Sequence, residues 1–213
     1  MSGSTNANNL HISNHPLILD KLTRMREQST PHFVFKSLLD EVSIFLFYEA
    51  TAGFESESTE ITTPLEKMNA PRIRKEILLV PILRAGLGMV NGILRTWEGA
   101  RVGMIGMYRD HDTLKPVDYY LKLPPNIDEM AVFLLDPMLA TGGSALSAID
   151  KLKESGARDL AMISLICSPE GVEFVHRRHP DLKIYAAAQD RQLNGIGYIL
   201  PGLGDAGDRY FGT

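Results

Sequence analysis

The chain of 213 residues has one cysteine, one tryptophan, no excess of positive charge and no apolar run long enough to span a bilayer. Each shortage closes a class of protein. A lone Cys167 cannot form an intrachain disulfide, so a disulfide-stapled scaffold is excluded, and its place in the apolar run 160–167 marks it as a core strand residue. Lys and Arg number 22 against 26 Asp and Glu, a net charge of -4, which is the wrong sign for a general nucleic-acid binder. His11, His15, His32, His111, His176 and His179 scatter over tail, loop and helix surface with no metal-ligand spacing. His176 and His179, beside Arg177 and Arg178, read as a helix end near its negative dipole. The stretch 1–9 lacks both a basic region and an apolar core, so it is neither a secretion signal nor a membrane anchor. It reads as a disordered tail, and a cytoplasmic protein is expected.

What is present fits one α/β domain over residues 1–213, with 44% hydrophobic residues to fill its core. The hydrophobic period switches repeatedly along the chain. Residues 77–81, 101–107, 131–135, 160–167 and 183–188 are apolar runs of strand length, separated by helical patterns at 88–97, 144–155 and 169–179, with Gly156 closing the second. An earlier helix is expected from Thr30 as N-cap and Pro31 as its first position, with Gly53 ending it. Strands alternating with helices imply a mostly parallel twisted sheet flanked by helices. Two parts stand outside this alternation. Residues 108–123 are polar, carry Arg109, Lys115 and Lys122, and read as a projecting arm, loop or hairpin. Residues 194–213 hold glycines at 195, 197, 202, 204, 207 and 212, a density that excludes a helix and implies backbone folded closely around something. No internal repeat or linker divides the chain.

The segment richest in chemistry is Asp136, Pro137, Met138, Leu139, Ala140, Thr141, Gly142, Gly143 and Ser144, which follows the apolar run 131–135. It reads as a strand, a turn and a helix start. Glycine and small hydroxylated residues let backbone amides converge on an anion, and the opening helix adds its unsatisfied N–H groups and positive dipole end. An acid at the carboxyl end of a parallel strand stands where open α/β sheets bind ligands, and it can accept hydrogen bonds from sugar hydroxyls. A phosphorylated ribose is the ligand this pattern describes.

The segment resembles the binding motif of type I phosphoribosyltransferases, in the version found in uracil phosphoribosyltransferases. Residues 79–89 around Arg84 are similar to that family's diphosphate loop, and Tyr108, Arg109 and residues 113–117 to its mobile arm. Residues 197–212 resemble its uracil-binding hood, and His15–Ile18 with Lys21–Thr23 its amino-terminal segment. Residues 59–75 match no family phrase, and Gly195 and Ile196 stand where a charged residue and a histidine are expected.

The resemblance implies transfer of phosphoribosyl from 5-phospho-α-D-ribose 1-diphosphate to uracil, giving UMP and diphosphate in pyrimidine salvage. Arg84, Arg109, Asp136 and Asp205 are the implied catalytic residues. The same four, with Pro137 to Ser144, would hold the ribose diphosphate, and Ile199, Gly204, Asp205 and Ala206 would meet uracil. Mg²⁺ is the implied cofactor, held by the diphosphate and water without direct protein ligands, and Asp205 would reach the phosphoribosyl group through it. Many relatives carry two adjacent acids before the phosphate loop, whereas here Pro137 takes the second position and Asp205 supplies part of the missing charge. Asp208 reads as a turn residue. A homodimer or homotetramer and a GTP activator also follow from the resemblance. Two other readings stay open on the same fold: an RNA-binding regulator that senses uridine nucleotides, which the acidic balance disfavours, and a catalytically silent binding module, which the retained motif residues disfavour.

Overall fold

The computed structural model describes residues 9–109 and 116–213. In chain order its elements are β1 Leu10–Ile12, α1 Pro16–Arg26, α2 His32–Ala50, β2 Glu57–Thr62, β3 Lys67–Arg72, β4 Ile77–Leu83, α3 Leu87–Thr96, β5 Arg101–Val102, β6 Met104–Arg109 and β7 Pro116–Lys122. A 3-10 turn at Ile127–Glu129 leads into β8 Ala131–Leu135, β9 Met138–Leu139, α4 Gly143–Glu154, β10 Asp159–Cys167, α5 Pro169–Arg178, β11 Lys183–Gln189, β12 Gln192–Leu193, β13 Ile199–Leu200 and α6 Ala206–Phe211. No helix among the described residues is long and apolar enough to cross a membrane.

The main sheet runs β1-β11-β10-β8-β4-β6-β7 and is parallel up to β6, with β7 antiparallel at its edge. Its central strands are apolar throughout because helices cover both faces. Alternate residues therefore serve two separate cores. Leu79, Phe133, Leu135, Ile163 and Leu165 pack beneath α1, α2 and α3, while Leu78, Val132, Leu134 and Met162 pack beneath α4 and α5. Burying each large aliphatic side chain contributes about 1.5–3 kcal/mol, so a polar residue survives in this layer only when fully hydrogen-bonded. Ser164 in β10 is such a residue: its Oγ accepts from Leu139 N–H at 3.2 Å and donates to Ile166 C=O at 3.1 Å.

Several local expectations are corrected. Pro31, not Thr30, caps α2, because the Thr30 hydroxyl donates to the Arg24 carbonyl instead. The helix also stops before Gly53: Thr51 is its C-cap, with its hydroxyl bonded to the Phe47 carbonyl. The glycine-rich end does contain a helix, α6, since Asp205 caps its first turn and Gly212, at φ +75°, closes its last. His176 and His179 are buried rather than on the helix surface: His176 bonds Leu182 C=O, just before β11, and His179 bonds Asp150 of α4. Residues 59–75, unassigned from sequence, lie largely in a separate two-stranded hairpin of β2 and β3. The described part of the arm is the β6–β7 hairpin. Its tip, residues 110–115 with His111, Thr113 and Lys115, lies outside the described residues, as do the tail 1–8 and the side chains of residues 108, 109 and 116–118.

Candidate active site

The carboxyl ends of β4, β8, β10 and β11 deliver Arg84, Asp136, Ser168 and Asp190 to one edge of the sheet, where open α/β folds gather ligands. β8 ends at Leu135, and the chain then turns through Pro137, whose carbonyl accepts both Leu165 N–H at 3.1 Å and Ile166 N–H at 3.2 Å. Two residues of β9 pair with Ile166 and Cys167 before the chain is released toward α4.

The loop from Ala140 to Gly143 is pinned from behind. Ser168 is buried, donates its hydroxyl to Ala140 C=O at 2.6 Å, accepts Gly171 N–H at 2.8 Å and sends its own amide to Leu139 C=O at 2.9 Å. A β-carbon on Gly171 would fall far inside contact distance of the Ala140 carbonyl oxygen, so only glycine lets α5 approach this closely. Gly142, at φ +81°, turns the chain into α4, and no side chain caps that helix. The start of α4 faces an adjoining cleft of about 180 Å³, lined by Asp136, residues 138–145 and Gly197.

A second cleft of about 300 Å³ continues from the first. Its walls are Ala85 from the β4–α3 turn, residues 196–199 from the β12–β13 hairpin and residues 204–207 from the start of α6. Asp136, Met138, Ala140 and Gly197 line both clefts, so the carboxylate of Asp136 stands at the junction. Burial pushes that carboxyl up from 3.8 to about 7, partly opposed by the Met138 N–H that reaches its Oδ1 at 3.3 Å. By contrast Cys167 is inert: burial, reinforced by the charge of Asp190, raises its thiol to about 12.

The remaining sequence-designated residues fall as follows. Ile199, Gly204, Asp205 and Ala206 all line the second cleft. Asp205 spends one carboxylate oxygen on the α6 cap, accepting Asp208 N–H at 2.9 Å. Arg84 lies outside both clefts, 63% exposed, with its guanidinium 3.7 Å from Asp208 and 5.7 Å from the Phe211 ring centroid. Asp208 is thus an ion-pair partner in the first turn of a helix rather than a plain turn residue. Arg109 ends β6, and its side chain lies outside the described residues. Sequence reasoning missed Ser168, which the Ser-Pro helix-start signature could have revealed, and missed Arg26, Asp190 and Arg209, whose partners are remote in sequence.

Comparison with known proteins identifies the family and the fold. The family described as "Uracil phosphoribosyltransferase" matches residues 12–213. A protein of that name from Fervidobacterium nodosum is 54% identical over 205 residues, covering 96% of this chain and 99% of its own. The solved structure of the AQ2163 protein from Aquifex aeolicus superposes with a TM-score of 0.91 at 34% identity, covering 95% of this chain and 97% of that one. A hypoxanthine-guanine phosphoribosyltransferase from Bacillus anthracis shares the fold alone, with a TM-score of 0.51 at 17% identity over 75% of this chain and 80% of its own. With a family match over residues 12–213 and a relative 54% identical across nearly the whole chain, this chain belongs to the uracil phosphoribosyltransferase family.

Proposed function

We propose that the two clefts bind 5-phospho-α-D-ribose 1-diphosphate and uracil side by side, and that the chain transfers the phosphoribosyl group to the base, giving UMP and diphosphate. The observation that carries this reading is the shared wall. An amide-rich cradle and a base-sized cleft meet at Asp136, where the sugar of a nucleotide must lie if its phosphate and base occupy the two ends.

Breaking the anomeric C–O bond leaves positive charge on the ribose ring and negative charge on the departing diphosphate, so catalysis is electrostatic and positional. In this reading Asp136 faces the cationic sugar and orients its hydroxyls, while the amides from Ala140 to Ser144 fix the 5′-phosphate. Binding energy at that remote group then holds the reacting carbon in place. Arg84 and Arg109 attend the diphosphate, and for Arg84 this means leaving Asp208 for the ligand. Uracil offers acceptor, donor and acceptor at O2, N3–H and O4, which backbone groups at Ile199 and residues 204–206 can match.

Mg²⁺ fits as a partner of the substrate rather than of the chain. No group of three or more His, Cys, Asp or Glu among the described residues could hold a metal, and the second cleft offers only the carboxylates Asp136 and Asp205. Such a sparse donor set suits Mg²⁺, which keeps its waters and binds chiefly through substrate phosphates. Bound there, it would neutralise charge on the leaving diphosphate.

The deciding experiment is an assay for diphosphate release with uracil, cytosine, hypoxanthine and guanine, each with the ribose diphosphate and Mg²⁺. UMP formation from uracil alone is the expected result. Cytosine would leave two buried backbone groups facing like partners at about 1–3 kcal/mol each, and a hydrogen-bonding site can reject such an analogue by roughly 10⁴ to 10⁵. Nucleotide formation from any of the other three at a hundredth of the uracil rate would defeat this reading. A homodimer or homotetramer and activation by GTP belong to the same proposal; light scattering of the purified protein and the assay with added GTP test them.

A further inference from the structure

The backbone that lines the base cleft leaves the sheet edge through Gly202 and Leu203, and both are held by side chains from distant parts of the fold. Asp190, just past β11, has a side chain only 5% exposed. One of its oxygens, Oδ2, accepts Gly202 N–H at 2.9 Å and Arg26 Nη1 at 2.8 Å; the other, Oδ1, accepts Arg26 Nη2 at 2.5 Å. Arg26, from the last turn of α1, also donates Nη1 to the Gly202 carbonyl at 2.7 Å. Both polar groups of one peptide residue are therefore fixed by a single ion pair.

A second guanidinium continues the arrangement. Arg209 in α6 lies over the Phe35 ring, 4.6 Å from its centroid, and donates to Leu203 C=O at 2.8 Å while bonding Met25 C=O and Glu27 C=O at the end of α1. After these two anchored residues comes Gly204, the first of the four, residues 204–207, that line the cleft.

Buried ion pairs are poor stability devices, because an apolar pair of similar volume joins two elements as well without the desolvation cost. What an apolar pair cannot do is satisfy Gly202 N–H and C=O together. We propose that Arg26 and Asp190 are positioning residues for base recognition, setting the height and tilt of the backbone at 204–206 against the base. This rests on reading the second cleft as the uracil site.

The two conservative variants separate geometry from charge. Asp190→Asn keeps an acceptor for Gly202 N–H but turns an amide donor toward Arg26. Arg26→Lys keeps the positive charge but loses the planar fork that spans carboxylate and carbonyl. Wild-type UMP formation is measured first, and its absence would overturn the uracil reading itself before any variant is considered. Given that activity, each folded variant should raise KM for uracil roughly tenfold or more, as expected for losing a hydrogen bond to a charged group. KM for the ribose diphosphate and kcat at saturating uracil should stay within about threefold, because the phosphate cradle is pinned separately by Ser164 and Ser168. The ratio of uracil to cytosine use should fall in parallel, a change that mere loss of stability would not cause. Thermal unfolding reports whether each variant is folded, and if Asp190→Asn is not, Arg26→Lys carries the test. Equal rises in both KM values, a fall in kcat alone, unchanged kinetics, or loss of the folded state in both variants would each overturn the assignment.

Discussion

Replacing Asp136 by Asn should stabilise the ligand-free protein in alkaline buffer while crippling its chemistry. Burial lifts the Asp136 carboxyl from 3.8 to about 7, so the folded protein binds a proton that the unfolded chain releases at much lower pH. The sign follows directly. Stability tied to this group is fully present below the unfolded value of 3.8, falls as pH rises, and is lost once pH passes the folded value of about 7. At 1.36 kcal/mol per factor of ten, the whole effect is at most about 4 kcal/mol, with about 2–3 kcal/mol of it falling between pH 5 and pH 8. Asp136 lines both clefts and keeps partial solvent contact, and that screening makes these figures upper bounds. Asn does not titrate, so the difference between variant and wild type isolates the carboxyl. For a chain of this length, each kcal/mol moves Tm by roughly 2–4 °C, and the variant's Tm advantage should therefore grow by roughly 5 °C from pH 5 to pH 8. Differential scanning calorimetry of both proteins at the two pH values, without substrate, makes the measurement. In the same variant turnover should fall on the order of 10²-fold or more with a smaller change in uracil binding, as for removal of one preorganised electrostatic group. A Tm difference that is flat with pH would show that Asp136 is not a strained acid in the folded protein, and near-wild-type kinetics would remove it from the site.

Other consequences are as open to measurement. Gly171→Ala should displace the Ala140 carbonyl and with it the phosphate cradle, costing about 1–3 kcal/mol of stability by overpacking and raising KM for the ribose diphosphate more than KM for uracil; chemical denaturation and steady-state kinetics read the two effects. Arg109→Ala should weaken binding of the ribose diphosphate and leave UMP affinity much less affected, which calorimetric titration of each ligand would check. Limited proteolysis should cut between residues 108 and 123 in the empty protein and spare them once substrate and Mg²⁺ are present; equal rates in both states would reject a closing arm.

The central strands and the strand–turn–helix at residues 131–154 were legible in the sequence because their causes are local. Residues 131–135 are apolar in succession since both faces of a parallel sheet are covered, and Asp136 and residues 138–144 form a turn and helix start that line one cleft largely with backbone and small side chains, so composition and order suffice to describe them. Elements whose causes are remote were not legible. The strands β2 and β3 are polar and exposed, with Pro71 near the end of the second, and no hydrophobic period announces them. The helix α6 was hidden by glycine content, because Asp205 and Gly212 outweigh propensity at its two ends only once the chain is folded around it. Tertiary structure alone brought Asp136 to the wall between two clefts and drained it of water enough to move its ionisation to about 7. It alone joined Arg26 to Asp190 and Gly202, 164 and 176 positions away, since a side-chain hydrogen bond depends on a few ångströms of space and not on distance along the chain.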